Sequence, residues 1–207
     1  MIWFVWLIIS TLVNAFIVTT IVDIVLMGSF TLKFSRKCNI SQFMIYKDNL
    51  IDVQKGNECS GYSTAYILRH YDIAANGEEI YKKIPQKTAN GCVYPKEVKR
   101  ILEDYGFYVK YCAGNLNALK KEVCKGNPVI VFIKVRKDKN WLHYVPVVGY
   151  DENNIFLAES LIDFINCDEK IYNRKISNKD FLALWNTSML KMPLYAHTFY
   201  MIEKKMH

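Results

Sequence analysis

The chain has 207 residues and a formal net charge of +7. Its lysines are scattered, without an arginine-rich run or a basic stripe interleaved with aromatics, which argues against nucleic-acid binding and fits better with an anionic membrane surface nearby. The six cysteines (Cys38, Cys59, Cys92, Cys112, Cys124, Cys167) form no CxxC pair and no close Cys/His cluster, so neither a zinc site nor any other cofactor is expected.

From Met1 to Leu32 the only charged side chain is Asp23, and Met1 to Val22 alone supplies the ~20 apolar residues that cross a bilayer as one helix. The basic n-region and small-residue cleavage site of a signal peptide are lacking, so residues 1–32 read as a retained transmembrane anchor. Asp23 falls near an interface, where snorkelling is the simplest account of it. Lys33, Arg36 and Lys37 follow at once, and positive charge after the span places the next segment on the cytoplasmic side. Residues 33–50 form a basic neck and lead-in, with a short strand around Phe43–Tyr46. Residues 51–207 are long enough for one domain with its own core.

Gly56 and Asn57 mark a loop that runs into an apolar-periodic helix with Ala65, Ile67, Leu68 and Tyr71, so Cys59 stands at or just before the first turn. A thiol there has its thiolate stabilised by the free N–H groups and the dipole of the helix start, although a small buried residue would also suit that position. A helix is expected over Gly77–Ile84, stopped by Pro85. Another follows over Lys96–Asp104, with Pro95 in its first turn and Gly106 ending it. Phe107–Cys112 reads as a strand, Asn115 as the N-cap of a helix through Val123, and Val129–Ile133 as a central strand. His143–Tyr150 and Ile155–Ala158 form a hairpin around the turn Asp151–Asn154, and Pro146 within it implies an edge position or a bulge. Ser177 caps a helix over Lys179–Trp185, and Thr198–Glu203 is the last strand. Helices first and hairpins afterwards make an α+β fold with an antiparallel sheet.

A cysteine nucleophile needs a base and a group that orients the base. His70 lies eleven residues along the same helix, about 16 Å from Cys59. His207 is the last residue, and His197 precedes the last strand on the expected surface. His143 remains, at the opening of the hairpin. Glu159, sixteen residues on, stands at the end of the returning strand beside it, with Ser160 as the neighbouring candidate for the same task.

The ordered set Gln54, Cys59, His143-Tyr144-Val145-Pro146-Val147-Val148-Gly149-Tyr150-Asp151 and Glu159 resembles the papain-like bacterial cysteine peptidases. It is most similar to the bacteriocin-processing (double-glycine leader) peptidases and their stand-alone relatives. Gly106-Phe107, Asn127-Pro128-Val129-Ile130-Val131 and Phe181…Trp185 extend the resemblance over roughly Ile51 to Lys204. It implies a papain-like fold for residues 51–207 and a membrane-anchored peptidase acting on a peptide or protein tail. It also implies Cys59 as nucleophile, His143 as general base and acid, Glu159 as orienting acid, and the Gln54 amide as an oxyanion donor beside the Cys59 N–H. The chain departs from the family in having Ser60 where Gly follows the cysteine, and Glu159 where Asp or Asn is usual. The transporter and ATPase modules fused to some relatives have no counterpart here, so a dedicated leader-peptidase role does not follow. Two alternatives use the same groove: an inactive relative that binds peptides in an immunity or regulatory role, and acyl transfer on the same Cys–His scaffold.

Overall fold

A computed structural model of the chain describes residues 2–205; Met1, the expected start of the anchor, and His207 lie outside them. The apolar N-terminal run forms one helix, α1 (Ile2–Met27), about 39 Å long at ~1.5 Å per residue. It is long and apolar enough to cross a membrane, and its side chains from Trp3 to Val18 are exposed.

The basic neck is structured from its first residues. Strand β1 (Thr31–Lys33) joins the sheet almost directly after α1, and β2 (Phe43–Met44) follows. Three helices come next: α2 (Cys59–His70), α3 (Gly77–Lys83) and α4 (Pro95–Asp104). Local chemistry sets their ends. The Asn76 side chain accepts the Glu79 N–H to cap α3, Pro95 occupies the first turn of α4, and Gly106, at φ 86°, turns the chain after it.

The remainder alternates strands with two helices: β3 (Phe107–Gly114), α5 (Leu116–Val123), β4 (Val129–Lys134), β5 (Leu142–Tyr150), β6 (Asn154–Leu157), β7 (Arg174–Ser177), α6 (Asn178–Trp185) and β8 (Thr198–Lys204). Asn115 and Ser177 cap α5 and α6 through the Ala118 and Asp180 N–H groups, as their positions in the sequence predict.

Among the described residues the strands form one sheet in the order β1-β3-β8-β4-β5-β6-β7, with β2 pairing the far end of β5. Every pairing is antiparallel except that of β1 with β3, so the sheet is mixed where an antiparallel one was expected. The parallel pair arises because the chain leaves α1 already lying along β3. Asn115 then holds the exit by exchanging two hydrogen bonds with the Ser35 backbone.

Pro146 does not sit on an edge, since β5 lies between β4 and β6. Its missing donor is accommodated by irregularity: the β5–β6 register shifts between Val147 and Gly149, and the Pro146 carbonyl is met by the Ala158 N–H beyond the end of β6.

Helices cover both faces. Ile130 and Phe132 point into a core shared with α2, α3 and α4, while Val129, Val131 and Ile133 point into a second core with α5 and α6. The two-residue period of β4 divides the chain into these layers. Helices α2 and α3 meet at glycines. An added Cβ on Gly61 would lie 2.4 Å from the Gly77 carbonyl oxygen and 2.7 Å from the Tyr81 nitrogen. Backbone cannot yield there, so Gly61→Ala is expected to destabilise the domain by about 1–3 kcal/mol, read as a lower midpoint in urea; an unchanged midpoint would contradict this contact.

Candidate active site

Cys59 is the first residue of α2, half-buried at the helix start. Glu58 precedes it without capping the helix. Its carboxylate turns back to accept the Gly56 N–H at 2.7 Å, and its carbonyl accepts the N–H groups of Gly61 and Tyr62. The N–H groups of Cys59 and Ser60 have no acceptor within the helix, which makes this end a ready site for a developing negative charge. One turn on, the buried Ser63 hydroxyl donates to the Tyr144 carbonyl at 2.8 Å, so α2 is tied to β5 beside His143.

His143, at the start of β5, is 1% exposed. Its Nε2–H donates to Glu159 Oε1 at 2.7 Å. The other ring nitrogen, Nδ1, is thereby left free for the Cys59 thiol, which lies close enough to the ring to help hold its charge. The three residues picked from sequence for nucleophile, base and orienter are thus brought together, with His143 bonded to Glu159 and Cys59 near the ring. It is the Glu159 carboxylate, and not the Ser160 hydroxyl, that meets the ring.

Glu159 has no exposed surface, and both its oxygens are engaged. Oε1 also accepts the Leu161 N–H at 2.8 Å, and Oε2 accepts from Arg174 Nη1 at 2.7 Å. Asn173 holds the Glu159 backbone in both directions, accepting its N–H at 2.6 Å and donating to its carbonyl at 2.8 Å. Sequence reasoning missed Arg174 and Asn173. They follow Glu159 by 14 and 15 residues, across an irregular segment, and only the β6–β7 pairing of Leu157 with Arg174 brings them back.

These contacts fix the charge states. Burial alone would push the Glu159 carboxyl up, but the charges of His143 and Arg174 and their hydrogen bonds hold it down, to about 2. Burial would likewise push the His143 ring down, but the Glu159 charge and hydrogen bond, with Cys59 near the ring, hold it up, to about 10. The imidazolium form is therefore favoured at neutral pH.

Gln54 is buried on the loop before α2. Its Oε1 accepts from Ser160 Oγ at 2.7 Å, its backbone N–H donates to the Ser160 carbonyl at 2.9 Å, and its Nε2 donates to the Gly56 carbonyl, leaving one amide hydrogen for another acceptor. The other described histidines lie elsewhere. His70 is at the far end of α2 against Tyr71, and His197 is half-buried against Trp185 where the sequence suggested a surface residue.

The sequence profile of the peptidase C39-like family matches residues 39–189. The chain belongs to the peptidase C39-like family. Its architecture is that of the papain-like cysteine peptidases, and solved structures similar to this C39-like chain agree on the fold. One is the peptidase domain of Streptococcus ComA, a bi-functional ABC transporter involved in a quorum sensing pathway (TM-score 0.58, 13% identity, covering 77% of this chain and 100% of that one). A double glycine motif protease from an AMS/PCAT transporter, solved in complex with the leader peptide, is similar over 83% of this chain and 97% of its own (TM-score 0.51, 14% identity). The Carica candamarcensis cysteine protease CMS1MS2, in complex with E-64, is similar over 81% and 100% (TM-score 0.54, 11% identity). The sequence matches no curated protein.

Ser60, which departs from the family pattern, is 1% exposed, and its hydroxyl has no hydrogen-bond partner among the described residues. Gly61, the next residue, is the one that the α2–α3 contact requires. An unpaired buried hydroxyl is a cost without a return, so Ser60→Ala in this C39-like chain is expected to keep or raise stability, by up to about 1 kcal/mol; a large loss would mean that the hydroxyl has a partner.

The charged array also sets a pH dependence. Glu159, held low, contributes stability that is present above its ordinary value of 4.5 and is lost as pH falls towards 2. His143, held high, contributes stability that is complete below its ordinary value of 6.5 and fades as pH rises towards 10. The urea midpoint should therefore fall on both sides of the window between those ordinary values. Glu159→Gln, or Glu159→Gln with Arg174→Met to avoid a stranded guanidinium, should flatten both limbs; a profile parallel to that of the parent chain would contradict the assignment.

Proposed function

We propose that the chain is a membrane-anchored cysteine peptidase that cleaves a peptide or protein tail through Cys59, His143 and Glu159. The observation that carries this reading is the buried imidazole oriented by the Glu159 carboxylate, with Cys59 near the ring at the start of a helix in a papain-like fold. Family membership supports peptide-bond chemistry. The complex of a similar protease with its leader peptide supports a peptide in the groove.

The Cys59 thiolate, paired with the His143 imidazolium, attacks the scissile carbonyl carbon. The carbonyl π electrons move to oxygen, and the oxyanion is received by the Cys59 N–H and the free amide hydrogen of Gln54. His143 Nδ1–H gives its proton to the leaving amine as the C–N bond breaks, leaving a thioester. A water then attacks the thioester and surrenders a proton to His143, and the Cys59 thiolate leaves. Glu159 keeps the ring oriented throughout and stays ionised, with Arg174 fixing its second oxygen. In this scheme Ser160 positions Gln54 through the carboxamide oxygen, which directs the amide nitrogen towards the oxyanion.

The anchor in this reading is α1, with the peptidase unit following on the cytoplasmic side. The supports are an apolar length greater than the ~30 Å hydrocarbon core and the basic residues Lys33, Arg36 and Lys37 after it.

The cysteines provide an internal control. Cys92 is the exposed one and Cys59 is only half-buried, so accessibility alone would make Cys92 react first. Under iodoacetamide at neutral pH, peptide mapping should instead find Cys59 modified fastest, with His143→Ala slowing that site at least about tenfold. Labelling in order of exposure would remove the support for an activated nucleophile. On a cleaved peptide-library member, Cys59→Ala should abolish turnover, and Gln54→Ala should lower kcat by about 10²–10³ with little change in KM; an effect confined to KM would give Gln54 a binding role instead.

A further inference from the structure

The end of α1 is not a free tether. Asp23, one turn from the end, is fully buried, and its Oδ2 accepts the Leu194 N–H at 3.1 Å. Met27 is buried in the same core as Val93, Val98 and Tyr195. At Gly28 the chain passes so close to α4 that an added Cβ would lie 2.9 Å from Lys96 Cβ and 3.8 Å from Lys99 Cδ. Ser29 Oγ then accepts the Tyr111 N–H, and β1 enters the sheet. The helix leaves the domain in one fixed direction.

Two pieces of chain flank that end. One is the face of α4 with Lys96, Lys99 and Arg100, which share a side by their i, i+3, i+4 spacing. Lys99 is engaged by Glu103 at 2.7 Å, whereas Arg100 is exposed. The other is the segment Ser188–Leu194, which folds into a tight turn closed by two backbone hydrogen bonds between Met189 and Met192. Leu190 at its tip is 89% exposed and Lys191 beside it is exposed. A lone surface leucine needs no explanation. This one differs because its loop is hydrogen-bonded to the apolar helix and carries a lysine next to the leucine.

We infer that the 188–194 turn and the basic face of α4 form a second membrane contact. Leu190 enters the upper acyl region of an anionic bilayer, and Lys191, Lys96 and Arg100 meet the lipid phosphates. This rests on the reading of α1 as the span. It also adds a substrate class to the proposed peptidase. The chain just before α4 borders the candidate site: Asn57 Nδ2 donates to the Asn90 carbonyl, and Tyr144, next to His143, donates through Oη to the Val93 carbonyl. From Val93 to Lys96 the chain reaches at most about 10 Å. The groove is thereby held close over the bilayer surface, which suits a substrate segment that lies on or emerges from the same membrane.

The test is photo-crosslinking of the full chain in liposomes of phosphatidylcholine and phosphatidylglycerol. The liposomes contain a phospholipid with a diazirine high on its acyl chain, and the adducts are mapped by peptide mass analysis. Adducts are expected on α1 and on Met189–Met192, with Leu190→Asp removing the second set only. The triple change Lys96→Gln, Arg100→Gln, Lys191→Gln, or omission of phosphatidylglycerol, should reduce the loop adducts several-fold. Adducts on α1 with none on the loop would overturn the second contact and leave the anchor standing. An absence of adducts on α1 would overturn the anchor and this inference together. Loop adducts insensitive to charge would overturn the role of the basic face.

Discussion

Glu159 is a carboxylate with no exposed surface, placed between two cationic side chains that are themselves buried. Taking any one of these three groups out of water is costly, and each is tolerable only while the others are in place. The arrangement therefore binds three strands to a single geometry: β5 brings His143, the end of β6 brings Glu159, and β7 brings Arg174. A slip of one residue in either pairing would strand a charge, so the array fixes register as firmly as the apolar pattern does.

The same constraint makes the departure from Asp or Asn intelligible. A glutamate reaches one methylene further, and here both its oxygens are used, one towards the ring and one towards Arg174. Asn173 clamps the backbone from which that longer side chain projects. The extra reach is thus held by two neighbouring residues of one strand entry. Ring orientation depends on those two as well as on the carboxylate.

What could be read from the sequence follows from how local each determinant is. Helix ends at Pro95, Asn115 and Ser177 depend on side chains within three residues of the backbone they serve, and they were legible as written. The pairing of His143 with Glu159 was legible because chemistry allows few residue types there and the hairpin joins the two. Strand β1 was not: its three residues show no apolar alternation, and it is stabilised by β3, some eighty residues away. Arg174 was hidden for a related reason, since a lone arginine in a polar stretch looks like solvated surface until β7 is paired. Pro146 left two readings open, an edge or a bulge; a missing N–H alone does not choose between them, and the register shift on the β6 side, within the sheet, takes the second.

The connection between α1 and the rest of the chain carries the last consequence. A helix joined by a long polar linker would leave the peptidase unit free to rotate over a membrane. Here three residues separate Met27 from Thr31, Asp23 is bonded to the loop before β8, and β1 continues directly into the sheet that holds His143. On the proposed reading, the helix direction fixes the tilt of the sheet, and the sheet fixes the mouth of the groove. Reach towards substrate is then a property of the fold and not of a tether. Lengthening the 28–30 connection would alter access to the groove while leaving Cys59, His143 and Glu159 in register, because none of their contacts runs through it.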